Sequence, residues 1–101
     1  MPFERVVGIY VTDDDQYQKY REGMLPLLGL VGGSFGFDFR VSEVLLSKTD
    51  DDINRVFTIE FPSQKVMEEF FSSPEYLEVQ AKYFNSSVKS KTLISLHEKI
   101  A

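Results

Sequence analysis

The sequence predicts an α+β domain whose elements follow the order β-α-β-β-α-β. Three observations support this order. Short runs of β-branched and aromatic residues recur with a period of two, which is typical of strands. Longer segments with apolar residues at helical spacing follow the first and third of these runs. Glycine, proline and acidic residues mark the boundaries between the segments. The order is the split β-α-β, or ferredoxin-like, arrangement, with helices on one face of an antiparallel sheet. The chain of 101 residues fits one domain spanning residues 1–101.

The first strand is predicted at Val6–Thr12, which is short, β-branched and aromatic. In Asp13–Asp15, one aspartate is a natural N-cap, and the others oppose the positive end of the helix dipole. The apolar positions of the following helix are Tyr17, Tyr20, Met24, Leu27, Leu28 and Val31. Pro26 is expected to kink this helix or to end its regular part. Gly32-Gly33 is expected to stop it.

The middle of the chain predicts an antiparallel hairpin. Its first strand carries alternating apolar residues that are expected to share one face: Phe35, Phe37, Phe39 and Val41. The alternation weakens at Glu43–Leu46, which predicts a bulge or a break. Lys48–Asn54 is polar and is expected to form the turn. Arg55–Phe61 alternates again and forms the second strand of the hairpin.

The last third of the chain predicts a second helical region and a final strand. Pro62-Ser63 opens a helix whose buried stripe is Val66, Met67, Phe70 and Phe71. Ser73–Glu75 restarts the helix, with serine as N-cap and proline in the first turn. Asn85–Lys91 is expected to be a polar connection. Thr92–His97 is predicted as the last strand, with the alternate apolar residues Ile94 and Leu96.

The two faces of the predicted sheet differ in composition. The face under the helices carries Val7, Ile9, Val11, Phe57, Ile59 and Phe61. The other face carries Val6, Gly8, Tyr10, Val56, Thr58 and Glu60. This second set is mixed, but it is too apolar for a face fully in contact with water. We therefore expect a homodimer in which two such faces pack together and close the sheets into a dimeric α/β barrel.

The overall charge excludes several classes of partner. The chain has 11 Lys and Arg against 16 Asp and Glu, a net charge of −5, and its basic residues are not clustered. We therefore expect neither nucleic acid nor an anionic membrane surface as a partner. We recognise no secretory signal and no apolar run long enough for a membrane span. Cysteine is absent, which fits a reducing compartment, and we expect a cytoplasmic protein.

No metal or cofactor is predicted. Without cysteine there is no thiolate zinc site and no cysteine nucleophile. His97 is the only histidine, so one subunit cannot hold a multi-histidine metal site. The acidic runs Asp13–Asp15 and Asp50–Asp52 lack the glycine and glutamate of a calcium-binding EF-hand loop, and they fit helix capping and turn chemistry better.

Four short motifs carry a resemblance to a known family. They are Tyr17–Arg21, Gly32-Gly33, Glu60–Ser63 and Ser73–Tyr76. In this order and spacing they resemble the domain of unknown function 1330 family, which lies within the dimeric α/β barrel superfamily. The resemblance covers nearly the whole chain and implies a ferredoxin-like subunit that dimerises. The superfamily holds cofactor-free monooxygenases, isomerases, haem enzymes and stress-related proteins, so the resemblance implies a fold rather than a reaction.

Five residues are candidates for a site. Glu60 lies among apolar strand residues and could act as a general base; the alternative is pairing with a cation such as Arg40, or exposure at a barrel rim. Asp38 and Arg40 share a strand face, where they either orient a polar ligand or form a surface ion pair. Tyr10 is expected on the same face as Glu60, as a hydrogen-bond donor to a ligand or as a packing residue. His97 is either a proton shuttle or haem ligand, or a solvated histidine near the end of the chain.

Two functional hypotheses follow. The first is a small-molecule-binding protein or cofactor-independent enzyme, with its ligand between helices and sheet or in the barrel, near Tyr10, Arg40 and Glu60. The second is a non-catalytic structural or regulatory dimerisation module. A closed pocket of several hundred Å³ with converging polar groups would favour the first. An interface between sheets that is filled with side chains would favour the second.

Overall fold

The structure is a computed structural model that describes residues 1–100. Four strands form a single antiparallel sheet: β1 (Phe3–Val11), β2 (Ser34–Arg40), β3 (Arg55–Phe61) and β4 (Val88–Glu98). Their spatial order is β2-β3-β1-β4, so β1 and β3 occupy the centre of the sheet. The predicted ferredoxin-like fold is thereby confirmed.

The helices connect the strands in two crossovers. The elements are α1 (Asp14–Leu30), α2 (Gln64–Ser72), α3 (Pro74–Val79), a π-helical turn (Gln80–Phe84) and α4 (Asn85–Ser87). The predicted caps are confirmed, because Asp13, Ser63 and Ser73 each accept a hydrogen bond from the backbone N–H three residues later. Pro26 does not end α1, which continues to Leu30. None of the described helices combines the length and the apolar composition needed to cross a membrane.

The core lies between the helices and the inner face of the sheet. The predicted inner positions of β1 and β3 are confirmed as buried, and Ile9, Ile59 and Phe61 are almost fully enclosed. The helix residues that contribute to the hydrophobic core are Tyr17, Tyr20, Met24, Leu28, Met67, Phe70 and Tyr76. Burial of each large apolar side chain stabilises the fold by about 1.5–3 kcal/mol. Odd-numbered residues of β1 and β3 point to the helices. Even-numbered residues of these two strands therefore face the other side of the sheet.

Because β2 contains a bulge, its aromatic residues do not all face the side of the sheet that the sequence predicts. Phe35 pairs with Ile59 of β3, but the next pair is Asp38 with Phe57, so two residues of β2 oppose Thr58. Phe35 therefore faces the helices and contacts the Phe57 ring, whereas Phe39 pairs with Val56 and faces the other side. The prediction that the four alternating apolar residues of this strand share one face was wrong. We call the face of the sheet opposite the helices the open face.

The segment between β2 and β3 is a long loop rather than a short turn. Residues 41–54 form neither helix nor strand, and Asp51–Ile53 fold back over the open face. Ile53 fills the space above Gly8, where a Cβ atom would lie 2.9 Å from the Ile53 Cδ1. The Ser90 hydroxyl donates to the Asp52 carbonyl at 3.1 Å. The loop therefore covers the end of the open face where Gly8 and Ser90 lie.

The last strand differs from its prediction at its start and in its phase. It begins at Val88 rather than Thr92, because Val88–Lys91 pairs with the end of β1. A bulge leaves Ile94 without a partner between Leu93 and Ser95. Leu93 and Leu96 consequently face the helix side, while Ser95 and His97 face the open side. Ile94 and Leu96 therefore do not follow the simple alternation that the sequence predicts.

Candidate functional site

A narrow cavity lies between the helices and the inner face of the sheet. Its volume open to water-sized spheres is about 30 Å³, which holds about one or two water molecules. The lining residues are Arg5, Val7, Tyr20, Met24, Phe35, Phe57, Ile59, Phe71, Tyr76, Phe84 and Lys91. Most of the wall is aromatic or aliphatic, and the polar groups come from four of these side chains. This volume is well below the several hundred Å³ that a ligand pocket usually has.

The cavity carries two cations and no carboxylate. Arg5 enters from β1 and Lys91 from β4, both on the helix-facing side of the sheet. Within residues 1–100, neither forms an ion pair. The Arg5 Nε atom is buried without a hydrogen-bond partner, and the guanidinium lies over the Phe71 ring with its Cζ 4.5 Å from the ring centroid. Burial lowers the pKa of Arg5, since desolvation disfavours its charged form.

Two buried tyrosines face these cations. The hydroxyls of Tyr20 and Tyr76 are 2.8 Å apart and hydrogen-bonded. Burial raises the pKa of both phenols above the ordinary value of 10.0, so both are neutral hydroxyls at physiological pH. In such a pair one hydroxyl donates to the other, and the accepting hydroxyl keeps its own proton for a further acceptor. The cavity therefore offers a guanidinium, an ammonium and one phenol proton to an oxygen-rich ligand.

Local sequence signals position these groups. Tyr20 and Met24 lie four residues apart on α1 and thus share its buried face. Ser73 caps α3 and accepts a hydrogen bond from the Tyr76 N–H at 3.3 Å, which places Tyr76 in the first turn over the cavity. Arg5 occupies an inward position of β1 between the buried residues Phe3 and Val7.

A second polar cluster lies on the open face, at the end where β1 begins. His97 Nε2 is 3.1 Å from Glu4 Oε1, and its Nδ1 is 2.6 Å from the Ser95 hydroxyl. Lys99 Nζ is 3.8 Å from a Glu4 oxygen and 3.6 Å from a Glu60 oxygen. Glu60 is therefore paired with Lys99 and not with Arg40. The structure brings two of the five predicted site residues, Glu60 and His97, into this one cluster.

Asp38 belongs to a separate ion cluster on the helix-facing side. Both of its oxygens accept hydrogen bonds from Arg55, at 2.9 and 2.6 Å, and Arg21 Nη2 lies 3.3 Å from Oδ2. Burial raises the pKa of Asp38, but the hydrogen bonds from Arg55 and the charges of the neighbouring arginines outweigh it, so the net pKa is lowered. Arg40 is exposed and contacts Asp14 at 3.7 Å. The Asp38 carboxylate is thus a bridge between the buried Arg21 and the largely buried Arg55 rather than a partner of Arg40.

Tyr10 lies apart from the other predicted site residues. It is half-buried on the open face and pairs with Ser90 of β4. Tyr10 lies six positions along β1 from Glu4, the strand partner of Glu60, which corresponds to about 20 Å. Tyr10 and Glu60 share a face as predicted, but they do not share a site, and Arg40 lies on the opposite face.

Sequence reasoning did not select the residues that line the cavity. The helical spacing of Tyr20 and Tyr76 predicts packing residues, and it gives no indication that their hydroxyls form a pair. Arg5 had a detectable signal, because an arginine two residues before Val7 continues the inward phase of β1. Lys91 had none, since the bulges of β4 obscure its phase.

Comparisons with known proteins agree with the fold. A family model described as a domain of unknown function (DUF1330) matches residues 5–95. A protein of unknown function from Rhodopseudomonas palustris gives a TM-score of 0.82 at 19% identity, over 99% of this chain and 83% of that one. A dimeric protein of unknown function with a ferredoxin-like fold from Bacteroides fragilis gives 0.63 at 14% identity, over 97% and 96%.

A third solved structure carries a functional description. A candidate antibiotic biosynthesis monooxygenase from Nitrosomonas europaea gives a TM-score of 0.59 at 10% identity, over 98% of this chain and 90% of that one. Identities this low establish a shared fold and nothing about activity. No curated protein matches the chain.

Proposed function

The chain belongs to the family described as a domain of unknown function (DUF1330), and we propose that it is a homodimeric small-molecule-binding protein for planar acids. The ligand occupies the cavity between helices and sheet, with its carboxylate against Arg5 and its flat apolar body among the aromatic rings. One observation carries this proposal: the cavity contains two cations and no carboxylate. In a chain with a net charge of −5, the composition of this wall is unusual.

The charges favour an anion over a neutral ligand. The buried Nε of Arg5 loses its hydration without gaining a hydrogen bond, and the Phe71 ring under the guanidinium offers no acceptor oxygen. A carboxylate would supply hydrogen bonds to Arg5, and charge-assisted hydrogen bonds of this kind are roughly twice as strong as neutral ones. The phenol hydrogen that is not used in the hydrogen bond between Tyr20 and Tyr76 provides a further donor.

The walls favour a flat ligand. The rings of Phe35, Phe57, Phe71 and Phe84 line the cavity, and aromatic side chains prefer stacked or edge-on contact with other rings. The cavity has room only for water, so binding requires a side chain to move. Phe84 is suited to this movement because it ends the π-helical turn, an element that is frequent at functional sites.

The test compares benzoate with its neutral counterpart benzamide in a thermal unfolding assay. At ten times its Kd, benzoate is expected to stabilise the fold by about 1.4 kcal/mol, a rise in Tm on the order of 8 °C. Benzamide is expected to have little effect. Arg5→Met should remove the benzoate response, whereas Arg40→Gln, which loses an exposed arginine, should retain it. Equal responses to both compounds, or a benzoate response that survives Arg5→Met, would refute the proposal.

The second part of the proposal is the homodimer, for which the open face provides the surface. Phe37 and Phe39 stack on each other with ring centroids 5.8 Å apart, and both are more than half exposed. Val56 of β3 is the strand partner of Phe39, and Val6 faces the same side from β1, the next strand of the sheet. Exposed contiguous apolar surface of this kind is typical of protein interfaces. A partner sheet would also enclose the cluster of Glu60 and His97, where the proposed acid–base role of Glu60 would apply.

Light scattering at micromolar concentration tests the dimer. We expect the wild type to be dimeric and Phe39→Glu to be monomeric. Leu30→Glu is the matched control, since Leu30 is 84% exposed at the end of α1 and lies outside the sheet. A monomeric wild type, or equal dissociation in both variants, would contradict the proposed surface.

The small volume of the cavity favours a second candidate function. In this alternative the chain is a non-catalytic dimerisation module, and the aromatic rings serve only the core. A dimer that gives no response to benzoate would support this alternative over the first proposal.

A further inference from the structure

Lys91 differs from the two lysines that form ion pairs with carboxylates. Lys82 is paired with Glu78 at 3.4 Å, and Lys99 is shared between Glu4 and Glu60. Lys91 has no acidic partner within residues 1–100 and instead lines the cavity with Arg5. An ammonium that is paired with a carboxylate is held in its charged form. Lys91 has no such partner among the described residues, and it is the lysine that lines the cavity shared with Arg5.

The position of Lys91 suits a reactive amine. The residue pairs with Ile9 on the helix-facing side of the sheet, so a partner on the open face leaves it accessible. Lys91 is exposed to solvent and also lines the cavity. It therefore lies at the mouth of the cavity. Burial, with the charge of Arg5 as the second cause, lowers the pKa of the amine, and this increases its uncharged fraction at neutral pH.

We propose that Lys91 is a nucleophile that forms an imine with small carbonyl compounds that also carry a carboxylate. This inference rests on the proposed binding of planar acids in the same cavity. Arg5 holds the carboxylate and thereby presents the carbonyl carbon to Lys91 Nζ. A lysine close to another cationic group is a recognised arrangement for such chemistry, and Lys91 lines the same cavity as Arg5.

The chemical step requires no oxidant, reductant or cofactor. The uncharged Nζ adds to the carbonyl carbon, and the C=O electron pair moves onto oxygen to give a carbinolamine after proton transfer. Loss of that oxygen as water then leaves a carbon–nitrogen double bond to Nζ. One water is released for each imine formed, and hydrolysis reverses the step.

The experiment traps the imine with cyanoborohydride, which delivers hydride to the imine carbon and leaves a stable secondary amine. The probe is 3-formylbenzoate, in which one planar ring carries both the carboxylate and the aldehyde. Benzaldehyde, which lacks the carboxylate, is the matched control. Peptide mass spectrometry then gives the labelling rate of each lysine, with the exposed Lys19, Lys48 and Lys65 as internal references.

We expect 3-formylbenzoate to label Lys91 at least about tenfold faster than the reference lysines, since holding two reactants together can supply far larger factors. Arg5→Met should reduce the Lys91 rate to that of the references, and Lys91→Arg should leave their rates unchanged. Benzaldehyde should show no such preference. Labelling of Lys91 no faster than Lys19 would overturn the inference.

The outcomes for binding and for reaction are distinguishable. If wild type responds to benzoate in the thermal assay while Lys91 shows no preferential labelling, the cavity binds acids and the nucleophile assignment is wrong. If benzoate gives no response but Lys91 is labelled preferentially and independently of Arg5, the amine is reactive and the proposed acid site is wrong.

Discussion

Replacement of Asp38 by Asn removes the charge that links two arginines to β2. Asp38 accepts two hydrogen bonds from Arg55 and lies 3.3 Å from Arg21. Arg21 is 8% exposed and stacks on the Phe35 ring with its Cζ 3.7 Å from the centroid. Because asparagine has nearly the same shape, Asp38→Asn leaves both guanidinium groups in place without their counter-charge.

The cost follows from the burial of the partners. Hydrogen bonds to charged groups contribute about 1.5–3 kcal/mol each, and breaking a buried ion pair costs about 3–5 kcal/mol. The Asp38 side chain is 29% exposed, so solvent screens part of the loss and we expect about 3 kcal/mol. The corresponding fall in Tm is on the order of 15 °C. Arg40→Gln is the control, since the exposed Arg40–Asp14 pair contributes less than about 1 kcal/mol.

The effect of Asp38→Asn depends on pH with a defined sign. The pKa of Asp38 is lowered in the folded protein relative to 3.8, so its ionised form stabilises the fold. This contribution is complete above the unfolded pKa and is lost as pH falls through the lower folded pKa. Urea unfolding followed by circular dichroism should therefore give the full difference at pH 7 and a shrinking one below about pH 4. A difference that persists unchanged in acid, or that does not exceed the Arg40→Gln control at pH 7, would refute the reasoning.

Two further predictions concern backbone space and buried hydroxyls. Gly36→Ala should destabilise the fold by about 1–3 kcal/mol, because the added Cβ would lie 2.5 Å from Thr58 Oγ1. Gly29→Ala, where a Cβ would meet nothing within 4 Å, should stabilise the fold by up to about 1 kcal/mol. Urea unfolding of both variants checks this difference, and equal effects on stability would contradict it. Tyr20→Phe should lower the free energy of unfolding by about 1–2 kcal/mol, because it leaves the Tyr76 hydroxyl without its partner. The double variant with Tyr76→Phe should lose less stability than the sum of the two single variants. Strictly additive losses of stability would argue against the hydrogen-bonded pair.

Most of the fold was predictable because the core imposes regular periods. The inward residues of β1 and β3 alternate without interruption, and a period of two is visible in the sequence. The caps Asp13, Ser63 and Ser73 were predictable because each satisfies a local backbone N–H. Their hydrogen bonds connect neighbours in the chain, so no knowledge of the tertiary structure is required.

The errors have a common physical origin in the bulges. The period of two assumes one residue per partner, but β2 places two residues opposite Thr58, and β4 leaves Ile94 unpaired. Each extra residue reverses the side of the sheet that the following residues of the strand face. Phe39 and Leu93 were therefore outside the reach of pattern analysis, since the pairing strand determines their faces.

The candidate site was less predictable than the fold. Glu60 and His97 approach one cluster only because β1 brings Glu4 between them, a relation that spans nearly the whole chain. The cavity depends on the absence of acidic residues near Arg5 and Lys91, and this property of a three-dimensional neighbourhood has no local signature.

The bulge in β2 also has a consequence for changes in chain length. Removal of Gly36 would leave Phe35 and Asp38 two positions apart, so both would still face the helices. Removal of Phe39 would instead turn Arg40 to the opposite side, since no spare residue absorbs the change. Insertions and deletions among homologues should therefore accumulate at this bulge, while the flanking parts of the strand vary by substitution alone.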